Sequence, residues 1–132
     1  MPIDYSADLQ LLTWAVALCL VQMVVAVAGA TLEVGLPRLA GNREPLPELT
    51  GWAGRAQRAH RNMLESLALF AVLVVVAHMA GVANETTVLG AQLFFWARLA
   101  YAIVYLIGIP WVRTGVWAVS VVGLIMIFLQ LV

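Results

Sequence analysis

Hydrophobic positions in this chain come in four long, nearly unbroken runs: Leu9–Thr31, Met63–Val82, Thr87–Ile109 and Thr114–Val132. Each has the length, about 20 residues, that a helix needs to cross the hydrocarbon core of a bilayer. Polar positions collect at the ends of the runs and in the connections between them. Ser6 and Asp8 stand ahead of the first run, where an N-cap and an early acid suit a helix dipole. The stretch EVGLPRLAGNREPLPELTG holds three prolines and three glycines and predicts a loop. A second helix is expected to start around Trp52–Gly54 and to run to about Val82, roughly 40 Å at 1.5 Å per residue, so its first turns stand in the interface or above it. GVANET predicts a tight turn, and GIPWVRTG breaks the chain at Pro110. No internal repeat or low-complexity tract interrupts the pattern. Residues 1–132 are therefore expected to form a single domain, an all-α membrane protein built as a four-transmembrane-helix bundle.

Composition agrees with the pattern. Of 132 residues 64 % are hydrophobic and 11 % charged, with a mean hydropathy of +0.97, which is too apolar for an ordinary soluble domain. Seven acidic residues balance seven basic ones, all arginine, so no nucleic-acid partner is expected. The single cysteine, Cys19, lies inside the first run and reads as a small buried side chain. VAGA, residues 27–30, has the look of a cleavage site. The N-terminal region, however, carries Asp4 and Asp8 and neither Arg nor Lys, so the segment is expected to remain as a helix. Arg38, Arg43, Arg55, Arg58 and Arg61 flank the first connection and Arg113 lies in the third. The second connection and both termini have none, which places the arginine-bearing connections in the cytoplasm and both termini outside.

The candidate chemistry starts at the mouth of the second helix, in RAQRAHRNMLESLALF. At 100° per residue, Arg55, Arg58, Arg61, Asn62 and Glu65 fall within an arc of about 120° and form one stripe. His60 and His78 fall on other faces, and no metal site is expected. Arginines that snorkel to lipid phosphates would account for Arg55 and Arg58. They would not account for Asn62 and Glu65, because a carboxylate gains nothing from anionic headgroups. Arg98 lies about eleven residues from either end of the third run, where an unpaired charge costs about 2.5–3.5 kcal/mol on the insertion scale. Glu65 is the carboxylate within a span on that half, so a structural ion pair between Glu65 and Arg98 is expected. Tyr101 and Tyr105 follow Arg98 at i+3 and i+7, on the same face. Several guanidiniums, an amide, a carboxylate and two phenols suit a small zwitterion with surplus negative charge. Glutathione has that pattern of groups; a buried polar network that merely fixes the bundle would use the same residues.

GRAQRAHRNMLESLALF, followed by WARLAYAIVYL and VRTGVW, resembles the MAPEG family, membrane-associated proteins in eicosanoid and glutathione metabolism. The resemblance covers all four helices, with its core at Arg58, Ala59, Asn62 and Glu65. It implies a four-helix protomer, a homotrimer, and glutathione held as co-substrate between neighbouring protomers near the cytosolic face. Arg58, Arg61, Asn62, Glu65, Tyr105 and Arg113 match glutathione-contacting positions, Arg38 matches a carboxylate-binding arginine, and Arg98 matches a buried structural arginine. Arg113 would be the catalytic residue, favouring the thiolate that attacks, with a hydrogen bond from Thr114 or Tyr105. The family's eicosanoid enzymes have a tyrosine near Trp117 on the fourth helix, and some use a serine where this chain has Thr114. The chain stands nearer the bacterial branch, which implies a bacterial inner membrane. The expected function is a glutathione-dependent transferase or peroxidase acting on lipid-soluble electrophiles that arrive through the bilayer. The alternatives are a non-catalytic relative that binds a small anionic ligand or lipid, and a small exporter. An exporter would need a membrane-embedded acid, and Glu33, beside Gly35 and Pro37, reads as a solvated helix end.

Overall fold

The computed structural model describes residues 6–41 and 48–132, so Asp4 and Arg43 lie outside the described residues. Helix α1, Ala7–Val34, begins after Ser6 in extended backbone and ends where Gly35, at φ 97°, turns its N–H onto the Thr31 carbonyl. The expected loop is not wholly irregular. Leu36–Ala40 form a one-turn helix, α2, because Pro37 sits in a first turn, where its missing N–H is no loss. α3, Gly51–Met79, spans 29 residues, one to three residues earlier at its start than its sequence suggests and three shorter at its end. Gly81, at φ 72°, supplies the left-handed residue that stops it, and the Val82 N–H closes back on the Ala77 carbonyl.

α4, Glu85–Ile107, opens on a reciprocal cap. Asn84 Oδ1 accepts from the Thr86 and Thr87 N–H groups at 2.9 and 3.0 Å, and Thr87 Oγ1 accepts from the Asn84 N–H at 2.9 Å. It ends at Gly108, φ 95°, and α5, Pro110–Leu131, starts with proline in its first turn. Successive long helices alternate in direction, since Asp8 at the start of α1 meets His78 at the end of α3 while Gly29 meets Ala53. α4 packs chiefly on α5, and α1 on α3; the backbone of α2 packs on α1. Phe70 of α3 stacks on Phe94 of α4 at 4.2 Å, with Met63, Val74 and Ile127 buried around them. All four long helices are long and apolar enough to cross a membrane, and Cys19 is buried as a small core side chain.

Candidate functional site

The stripe on α3 meets α4 and α5 at the end of the bundle that also carries the α1–α3 connection. Arg55 donates from Nε to the Leu106 carbonyl at 2.9 Å, tying the start of α3 to the end of α4. One turn further along, Arg58 Nε donates to Tyr105 Oη at 3.1 Å. Arg113, half-buried on the first turn of α5, lays its guanidinium 4.6 Å from the centroid of the same ring. Tyr105 is thus the point at which three helices and two arginines converge. Its oxygen accepts from Arg58, so its own O–H remains to donate to something else. Thr114 is placed differently: its hydroxyl donates to the Pro110 carbonyl at 3.2 Å, a bond back into its own helix.

Below this cluster lies Arg98, 1 % exposed. The expected Glu65–Arg98 ion pair is not formed in this chain. Arg98 Nη2 instead donates to Asn62 Oδ1 at 2.7 Å, and its guanidinium lies 4.2 Å from the Tyr101 ring centroid. Nε and Nη1 of Arg98 find no hydrogen-bond partner among the described residues. Glu65 sits one turn beyond Asn62 on the exposed side of α3, where it cannot replace an amide facing α4. The carboxylate that does meet a basic side chain among the described residues is Asp8, 2.7 Å from His78 Nε2. Arg61 is exposed as well. Tyr101 and Tyr105 do share a face, their centroids 5.4 Å apart. The predicted stripe therefore divides into Arg55, Arg58 and Asn62, which engage α4, and Arg61 and Glu65, which face outward. Arg38 is exposed on α2, whose backbone packs closely on α1.

A sequence model of the MAPEG family matches residues 11–132. The chain belongs to the MAPEG family. Its members are glutathione-related transferases or related membrane proteins, and this member is an integral membrane protein with an all-α bundle. Comparison with curated proteins and with solved structures returns no match.

Sequence reasoning missed a second polar cluster, at the opposite end of this MAPEG protein. Asp8, 1 % exposed, accepts through Oδ1 from the Leu9 N–H at 3.0 Å and from Ser6 Oγ, and contacts His78 Nε2 at 2.7 Å. Its Oδ2 lies 3.2 Å from Thr87 Oγ1. Asn84 Nδ2 extends the tie to α5 by donating to Gln130 Oε1 at 2.8 Å. Four helices are joined there by residues far apart in the chain, with no motif to announce them. Glu33 also has a structural role. It accepts from the Thr50 N–H at 2.9 Å and from the Thr50 hydroxyl, holding the start of α3.

Proposed function

We propose that this protein is a glutathione-dependent transferase or peroxidase acting on hydrophobic electrophiles that reach it through the bilayer. The observation that carries the reading is the convergence of Arg58 and Arg113 on Tyr105, at an open face of the bundle, in a member of this family. A thiol with an ordinary pKa of about 8.5 is mostly protonated at neutral pH, and a guanidinium beside it favours the thiolate. Arg113 has that role in the proposal. Tyr105 O–H, rather than the Thr114 hydroxyl, donates to the sulfur. Arg58, Arg61 and Arg38 hold the carboxylates, Asn62 offers its amide N–H, and Glu65 holds the ammonium. Glu65 and Arg61 face away from their own bundle, so the site, with Arg38 on α2 among its groups, is completed between copies in a homotrimer. The arginine-bearing end faces the cytoplasm of a bacterial inner membrane, both termini lie outside, and surrounding lipids and lipid-soluble substrates meet the outer faces.

The test is a titration of the purified protein with glutathione, following the ultraviolet absorbance of a bound thiolate. Wild type should show it. Arg113→Lys keeps the charge but changes reach and donor geometry, so it should bind glutathione while losing thiolate and turnover with chlorodinitrobenzene. Loss of Arg61 should weaken binding itself. If Arg113→Ala matches wild type at every pH, the catalytic reading fails and a non-catalytic protein binding a small anionic ligand or lipid takes its place.

A further inference from the structure

On another side of α4, about a third of a turn round from Arg98 and Tyr105, α1, α3 and α4 part to leave a half-enclosed cavity of about 210 Å³. Val21 and Val25 line it from α1, Ala56 and Ala59 from α3, and Ala102 and Ile103 from α4. Gln22 is the exception in a wall otherwise made of Ala, Val, Leu and Ile. It is 9 % exposed, and its Oε1 has no hydrogen-bond partner among the described residues. A buried acceptor left unpaired is unfavourable, and water is a poor remedy here. A buried water needs two to four polar partners, and this wall offers one.

We propose that the cavity binds the hydroxyl-bearing end of a neutral lipophile, a long-chain alcohol or acylglycerol. No acidic or basic side chain lines the wall, so a charged headgroup would be buried without a counter-ion. A hydroxyl donates to the Gln22 carbonyl, and should the amide turn over it accepts from the NH₂ instead. The volume accommodates about seven groups of ~30 Å³ each, enough for the hydroxyl and the first carbons, with the rest of the chain lying in lipid. The proposal does not rest on glutathione binding: Leu106, whose carbonyl accepts from Arg55, borders the cavity, but no arginine, Asn62, Tyr101 or Tyr105 side chain lines it.

Photolabelling tests it. The detergent-solubilised protein is irradiated with a diazirine-bearing dodecanol and, separately, with the corresponding alkane, and adducts are mapped by mass spectrometry. Adducts are expected within residues 18–25 and 99–106. The alcohol-to-alkane labelling ratio should fall about fivefold in Gln22→Leu, the loss of one hydrogen bond. Gln22→Leu removes an unpaired acceptor and keeps the apolar wall, so its unfolding temperature should not drop. Ala102→Phe fills the cavity and should abolish labelling by both probes. An unchanged ratio in Gln22→Leu overturns the proposal, whatever Ala102→Phe does to folding. So does a wild type without adducts in these segments, the result expected if a second copy seals the cavity. Mass spectrometry of protein freshly released from its membrane tells the two sources apart. A resident acylglycerol arrives with the protein, whereas a free alcohol binds only once supplied.

Discussion

Arg98 lies 1 % exposed within an apolar helix, and charge alone directs it to Glu65. Asn62 takes that place because it faces α4 and because an amide is less costly to bury than a carboxylate. The shared face of Arg98, Tyr101 and Tyr105 was legible from spacing. The choice between two acceptors one helical turn apart was not, since it depends on the rotation of α3 against α4. A double-mutant cycle should therefore give a coupling of about 1.5–3 kcal/mol between Asn62 and Arg98, the range for hydrogen bonds to charged groups. The cycle between Glu65 and Arg98 should give less than about 0.5 kcal/mol, and equal couplings would reverse the assignment. Tyr105→Phe removes one acceptor and keeps the ring under Arg113. It should leave the fold intact and reduce thiolate formation, read as a weaker ultraviolet signal at saturating glutathione.

At the scale of elements, the four spans and their breaks were legible because each depends on local composition: long apolar runs, the glycine- and proline-bearing connections and Pro110, whereas the Asn84 cap and the one-turn α2 came from the structure. What escaped was contact between distant positions. The α4–α5 crossing is an example: a Cβ at Gly123 would lie 2.5 Å from the Gly90 carbonyl oxygen and 2.9 Å from the Phe94 nitrogen, both backbone atoms that cannot swing aside. Gly123→Ala should cost about 1–3 kcal/mol, measured by thermal unfolding in detergent. Gly115→Ala, on the same helix with nothing within 4 Å of its Cβ, should be neutral or stabilising by up to about 1 kcal/mol. The tie at the other end makes a parallel case. Asp8 has a local reading as an early helix acid, and nothing in the sequence links it to a histidine 70 residues away. Asp8 is buried under its contacts with Leu9, His78 and Thr87, so Asp8→Ala leaves those partners without their acceptor and should lower stability by about 1–3 kcal/mol. Glutathione affinity of the protein that remains folded should be unchanged, because the tie lies at the far end from Tyr105.

For the whole molecule the question is what covers the outward face of α3. Arg58, Arg61 and Glu65 are exposed in the single chain and lie on a helix that crosses the membrane. A helix of 29 residues, about 43 Å long, exceeds a hydrocarbon core of about 30 Å, so its first turns can reach water. Arg58 lies two turns into α3 and can escape that way. Glu65 lies two turns deeper, level with the region of Arg98, where a lipid-facing charge costs about 2.5–3.5 kcal/mol. The cheaper arrangement buries Glu65 and Arg61 against a second copy, where each finds an opposite charge or a shared ligand. Native mass spectrometry in mild detergent should therefore show an oligomer, with the trimer dominant. Arg61→Glu places a second acid one turn from Glu65 and should raise the monomer fraction several-fold, while circular dichroism shows helicity unchanged. Arg38→Ala, on a helix outside the α3–α5 packing, should leave the oligomer intact and weaken glutathione binding alone. A wild type that is monomeric at every protein concentration would mean that these charges are covered by lipid headgroups, and the site between copies would have no structural basis.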